Sequence, residues 1–399
     1  MRHATLIGMA FSFLVAAGCG GSDAPNGPVD PGNPSNPGNG SPSTPGSSVA
    51  RAPAAGGNYL NVSAFPLDQV VPGGPSADAI PALTDPTFVA INSAEAGYLR
   101  DEHIVMGVVL NGEAKAYPQN IGWWHEIVND VVGGSPVIVS FCPLTGTGMV
   151  FDATGDDGVR VTTGVSGLLF NSNLVMYDRR DNQTLFPQMI HTGVVGPNTN
   201  EVLELLPVVE TTWGNWKRMY PGTQVIGSDT GVYSVAQYLE YPYVQSGADY
   251  RTTDQYLIFP FSTSEASSYF GAKSMTLGLR FGEMAKAYPF ASLGVESVIN
   301  DTVSGNAVAV VYHKQGEMAI PFSRTITVDN QQVTLTMEKV SSTDPKFAFL
   351  MKDKESETVW DLTGAAVSGT HTGKRLTQIP AHNAFWIAWT TFWKNTGIY

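Results

Sequence analysis

Apolar residues in this chain gather in short runs and rarely fall at helical spacing. Val105–Leu110, Pro136–Phe141, Val159–Val165, Leu174–Tyr177, Val202–Leu206, Met275–Phe281, Val308–Tyr312 and Val333–Met337 are rich in β-branched side chains. Turn signals such as Asn111-Gly112, Gly133-Gly134 and Asp156-Asp157-Gly158 bound them. Runs of this length between such turns predict strands. Tyr117-Pro118, followed by Ile121, Trp124, Ile127 and Val128, predicts a short amphipathic helix that opens after the proline. Thr211–Met219 and Phe385–Trp393 predict one further helix each. The pattern as a whole predicts an α+β, β-rich fold.

The pattern is also written twice. Ala114-Lys115-Ala116-Tyr117-Pro118 returns as Ala285-Lys286-Ala287-Tyr288-Pro289, with the tyrosines 171 residues apart (288 − 117). Asn129-Asp130 and Asn300-Asp301, Gly134 and Gly305, and the runs at 137–139 and 308–310 keep that spacing. Trp213-x-x-Trp216 is answered by Trp386-x-x-Trp389 at 173 (386 − 213), and Thr223 by Thr396. The expectation is two homologous repeats, 58–240 and 241–399, packed as a pseudo-symmetric pair. What both copies share is architecture, and what one alone carries is a candidate for chemistry.

The first nineteen residues read as an export signal: Arg2, an apolar stretch from Leu6 to Ala17, then Ala16-Ala17-Gly18 before Cys19. Small residues before a cysteine resemble the bacterial lipoprotein cleavage box, in which that cysteine is acylated; an ordinary cleaved signal is the alternative. Gly20 after it implies, by the same resemblance, the outer membrane of the cell envelope. Residues 20–57 are mostly Gly, Pro, Ser and Asn, too polar to offset their ordering entropy, and predict a disordered tether with a reach of roughly 35 Å. Net charge is −13, from 22 basic and 35 acidic residues. Such a balance argues against nucleic acid and against electrostatic docking on anionic lipid, leaving the lipid anchor as the only membrane contact. Cys19 and Cys142 are the two cysteines, so no disulfide framework supports the fold.

Three segments carry a resemblance: 111–118, then Trp124-His125-Glu126-Ile127-Val128-Asn129-Asp130, then Phe141-Cys142-Pro143-Leu144-x-Gly146-Thr147. With Gly164-Val165-Ser166-Gly167, residues 171–179, Thr212-Trp213-x-x-Trp216 and Phe385-Trp386-x-Ala388-Trp389, they resemble a bacterial family catalogued as domain of unknown function 3179. The resemblance covers essentially the whole globular chain and implies no activity. It implies a second cysteine where this chain has Thr145, so any function that needs two thiols is in doubt here. It also implies glycine where His191 stands.

At the 171 spacing His125 faces Glu296, Glu126 faces Ser297 and Cys142 faces His313, so that polar set belongs to the first copy alone. If the helix bearing His125 packs beside the strand ending at Cys142, imidazole and sulfur converge. Three readings follow. The set is a metal site for Zn²⁺ or copper, with Glu126 as ligand or as support. Or Cys142 is a nucleophile activated by His125, with Glu126 or Asn129 orienting the ring and the amides of 145–148 holding an oxyanion. Or Cys142 is a small buried hydrophobe and His125 a hydrogen-bonded core residue. Asn129, Asp178, Arg179 and Gln188 are further ligand-binding candidates, although 177–182 reads first as a charged hairpin turn. Gln188 and His191 could line the same cleft. Trp386, Trp389 and Trp393 share one helical face, as core or as a sugar-stacking platform. His103, His371 and His382 show no partner pattern and are expected at the surface. The expected function is binding of a soft metal ion or a small ligand at the Cys142/His125/Glu126 site. A cysteine-dependent enzyme, or a non-catalytic module holding glycan or protein, is the alternative.

Overall fold

The computed structural model describes residues 62–399 apart from Pro75. Cys19, the signal segment and nearly all of the expected tether lie outside the described residues. The described chain is β-rich, with four short α-helices: α1 (Gln119–His125), α2 (Trp213–Met219), α3 (Val235–Tyr238) and α4 (Trp386–Phe392). Among the described residues no helix is long and apolar enough to cross a membrane.

Two of the sheets are built alike. One orders its strands Val209–Thr212, Ile104–Leu110, Glu113–Pro118, Gln224–Ile226 and Phe88–Ala90. The other runs His382–Phe385, Met275–Phe281, Met284–Pro289 and Gly397–Ile398. Their central hairpins pair in the same register, Met106 opposite Tyr117 and Leu277 opposite Tyr288. Each sheet then adds one parallel strand, with Val225 beside Ala116 and Ile398 beside Ala287. Two antiparallel meanders follow the same pattern, Ile127–Val132 with Ser135–Cys142 and Thr147–Asp152, and Glu296–Val303 with Asn306–His313 and Met318–Ser323.

Side-chain contacts recur with the strands. Trp216 Nε1 donates to Thr223 Oγ1 and Trp389 Nε1 to Thr396 Oγ1, both at 2.9 Å. Each indole lies over a strand glycine, Gly107 or Gly278, where any Cβ would run into the ring. Tyr117 donates to Asp130 at 2.6 Å and Tyr288 to Asp301 at 2.7 Å. Asn129 and Asn300 each brace a neighbouring strand through both amide atoms, at Thr163 and at Met337.

The tryptophan helices cross over. The Thr212 amide ahead of α2 donates to Gly316 O (2.9 Å), and the Phe385 amide ahead of α4 donates to Thr145 O (2.8 Å). One hydrophobic cluster therefore joins Trp213 and Trp216 to Val311, Met318 and Ile320, while another joins Trp386 and Trp389 to Ile138, Cys142 and Met149.

Several expected elements shift. The run at 159–165 becomes a strand only from Thr163, and that at 202–206 forms a strand only at Leu205–Leu206, with a single bridge from Val202 to Thr192. The run at 333–337 is split between Gln331–Thr334 and Met337–Ser341. Helix α1 stops at His125 because Glu126 takes a left-handed backbone (φ 56°), so Ile127 and Val128 are strand residues. A helix in this position is only two turns long, and its apolar spacing ran on into the strand by coincidence.

Candidate functional site

Pro118 sets up α1 and Glu126 ends it, and the two polar residues at that end part company. His125 is fully buried. Its Nδ1 lies 2.6 Å from Pro81 O, a carbonyl that can only accept, so the proton sits on Nδ1. Nε2 then accepts from the Tyr238 hydroxyl at 2.7 Å. Burial holds the ring down to about 4, so it is neutral. Both nitrogens are taken, and neither is free to draw a proton from a thiol or to hold a metal.

Cys142 and Glu126 do come within electrostatic reach of each other. The thiol is 1% exposed, with a weak contact of 3.9 Å from Sγ to Ser172 O. Burial, with the Glu126 carboxylate added, pushes it up to about 11. Burial alone pushes Glu126 up to about 8. Both groups are neutral near pH 7, the reverse of what a thiolate nucleophile requires. Among the described residues no group of three or more His, Cys, Asp or Glu could hold a metal. The expected convergence of imidazole, sulfur and acid is thus corrected: a thiol and a carboxyl approach each other, and the imidazole is committed elsewhere.

The remaining expected residues serve the frame. Asn129 ties its strand to Leu83 and Thr163. Asp178 is fully buried, accepts from Arg180 and Asn198, and shapes the hairpin turn. Arg179 reaches outward to Asp78 and Thr84. Gln188 links Ser140, Thr147 O and Asn173, pinning the 142–147 turn from behind. His191 does not share a cleft with Asp178; its Nδ1 donates to Leu203 O. His371 and His382 are buried, against expectation. Trp386 and Trp389 are fully enclosed, so no sugar platform exists on that face.

The open space lies elsewhere. A cavity of about 520 Å³ sits where segments from both halves of the chain meet, within the range that small-molecule sites occupy. Its walls include Trp123, Phe141, Tyr241, Phe290 and Phe385, and it reaches the surface past the exposed Arg100, Glu102, Leu239 and Thr252. Pairs of lining residues stand at the recurring spacing: Ile104 and Met275, Gln119 and Phe290, Gly146 and Glu317 at 171 (275 − 104), and Glu210 and Asn383 at 173 (383 − 210).

Five lining side chains bring polar atoms that are buried yet lack a hydrogen-bond partner: Asn120 Oδ1, Glu210 Oε1, Tyr241 O–H, Lys273 Nζ and Asn383 Oδ1. Native structures leave few such atoms, and each asks for an explanation. Glu210 accepts from Gln119 Nε2 at 3.0 Å through its other oxygen. Burial pushes its carboxyl up to about 8 against the smaller pull of the Asn383 amide and Gln119.

A family model described as a protein of unknown function (DUF3179) matches residues 77–396. The chain belongs to that family. No curated protein and no solved structure matches it. In this DUF3179 protein the cavity-lining Glu210, Lys273 and Asn383 carry no motif of their own. The internal comparison held a signal for them all the same: Glu210 stands against Asn383, and Lys273 against Glu102 at 171 (273 − 102), so each pair differs in chemistry.

A pH experiment reads the Glu210 environment. Its folded-state value, about 8, lies above the ordinary 4.5, so the favourable contribution of the protonated form is complete below pH 4.5 and is lost as pH rises through 8. Glu210→Gln keeps a neutral side chain at every pH. Relative to the parent, this variant should gain stability as pH rises from about 5 to about 9, by a few kcal/mol at roughly 1.4 per pKa unit. Urea unfolding of both proteins across that range checks it; a constant difference would mean that the carboxyl is solvated.

Proposed function

We propose that this protein binds a small organic molecule in the cavity between two homologous repeats, 58–240 and 241–399, and does so as an exported, lipid-anchored envelope protein. The carrying observation is the set of five buried, unpartnered polar atoms around one aromatic-walled space. A ligand that both donates and accepts would satisfy the acceptors of Asn120 and Asn383 together with the donors of Tyr241 and Lys273. The aromatic rings suit its apolar faces. Matching strand orders, registers and Trp–Thr pairs support the repeat reading, and lining residues that recur at the same spacing support a cavity between the repeats. The small-ligand part of the expected function carries over to this cavity. A soft metal at Cys142 loses its imidazole to Pro81 and Tyr238.

The test uses thermal shifts with a panel of neutral sugars, amino acids and small hydroxy- and oxo-acids. At least one class should stabilise the parent and lose its effect in Met275→Trp, which fills the space from its wall. A panel that never separates the two proteins would overturn the reading. Anchoring is checked by cell fractionation: Cys19→Ala should leave the membrane fraction, and its retention there would remove the lipid tether.

A further inference from the structure

The cavity holds one side chain whose surroundings are unusual for its chemistry. Lys273 is 7% exposed, and its Nζ has no hydrogen-bond partner. No carboxylate lies within ion-pair distance among the described residues; Asp254, whose charge acts on it, is engaged by the Lys273 backbone N–H at 2.7 Å. Nζ instead lies 3.0 Å from the centroid of the Tyr250 ring and 5.0 Å from that of Phe385. Tyr250 is fixed in turn, its hydroxyl donating to Leu144 O at 2.9 Å. The amine is therefore held on two aromatic faces at the wall of a cavity that can admit a molecule.

An ordinary core lysine would snorkel to water or pair with an acid. This one does neither. We propose that Lys273 is a nucleophilic amine that captures a carbonyl compound, an aldehyde or ketone, as a Schiff base within the cavity. A lysine in a desolvated pocket is a recognised means of making such a nucleophile. Desolvation lowers its pKa to about 7, against the smaller opposing pull of Asp254 and Cys142, so much of it is free base at neutral pH.

The step balances without a further reagent. The Nζ lone pair forms a bond to the carbonyl carbon, and the C=O π pair moves to oxygen, which takes up the proton that the now four-bonded nitrogen gives up. The carbinolamine then expels that oxygen as water, leaving a protonated imine. Nothing is oxidised or reduced. Glu210, protonated below about pH 8, is an acid on the same cavity wall and can supply the proton to the departing oxygen.

The inference rests on the cavity's being a ligand site, and its test is separate. The full chain is treated with pentane-2,4-dione, which gives a stable enaminone on a nucleophilic amine, followed by near-ultraviolet absorbance, intact mass and peptide mapping. One adduct at Lys273 is expected, forming at least tenfold faster than on other lysines, with a rate that rises through an apparent pKa near 7. Lys273→Met and Lys273→Arg should both lose it, with folding of each checked by circular dichroism. Adducts spread over surface lysines with Lys273 untouched, or a rate rising only near the free-lysine value of about 10.4, would overturn the inference. If the ligand panel succeeds and the dione fails, only the amine reading falls. If the dione labels Lys273 and the panel fails, the amine reading stands, and the cavity admits small carbonyl compounds alone.

Discussion

Trp389→Ala is expected to cost about 3–5 kcal/mol of folding stability, the range for removing a fully buried indole. Trp389 is completely enclosed, lies over Gly278, and donates to Thr396 Oγ1 at 2.9 Å. The truncation leaves a cavity at the joint between α4 and its own sheet, and it removes the donor to Thr396 Oγ1, whose own hydroxyl still donates to Gly397 O at 3.1 Å. Thr396→Val separates the two losses, since the indole remains and only its hydrogen bond goes, for about 1–3 kcal/mol because the buried N–H is left without an acceptor. Gly278→Ala attacks the contact from the other side: the added methyl overlaps the indole and should cost about 1–3 kcal/mol. Trp216→Ala and Gly107→Ala should behave alike, because Trp216 meets Gly107 and Thr223 in the same way. Urea midpoints at unchanged slope measure all of these. A loss below about 1 kcal/mol for Trp389→Ala would show that the helix contributes little to the fold.

Lys115→Ala should cost about 3–5 kcal/mol, because it strands a buried carboxylate. Lys115 Nζ lies 3.0 Å from Asp130 Oδ2 and 2.8 Å from Val131 O, and the two side chains are 10% and 6% exposed. Tyr117 donates to the same carboxylate, which pushes its phenol well above the ordinary value together with burial, the larger cause. Lys286 and Asp301 repeat the pair with 21% and 16% exposure. Water can relieve Asp301 when Lys286 is removed, so Lys286→Ala should cost only about 1–2 kcal/mol. Replacing Lys115, Tyr117 and Asp130 together by Met, Phe and Leu should recover most of the loss, since no charge is then left behind. Equal costs for Lys115→Ala and Lys286→Ala would refute the burial argument.

Strand hairpins and the tryptophan helices were legible in the sequence because their signals are local. Asn111-Gly112 between alternating runs specifies a hairpin wherever it occurs, and Trp213-x-x-Trp216 marks one helical face. The end of α1 was not legible: nothing at Glu126 announces a left-handed residue, and Ile127 and Val128 continued the apolar spacing of the helix. The direction of His125 was hidden for a different reason. Pro81 and Tyr238, its partners, lie 44 and 113 residues away, and no spacing rule reaches them. Cys142 stood out in sequence as a lone thiol, yet what decides its chemistry is the apolar wall around it. Lys273 shows the converse. Its sequence neighbours are unremarkable, and its character comes from Tyr250 and Phe385, which arrive from other segments.

The crossing of α2 and α4 sets the order in which the chain can finish itself. Thr212 waits for Gly316, 104 residues later (316 − 212), and Thr145 waits for Phe385, 240 residues later (385 − 145). Until α4 docks, the face of the Ser135–Cys142 and Thr147–Asp152 strands that receives it is bare. Closure across such distances is slow, and the bare face is adhesive in the meantime. Removing α4 would therefore strip cover from Ile138, Cys142 and Met149, more than 200 residues earlier in the chain.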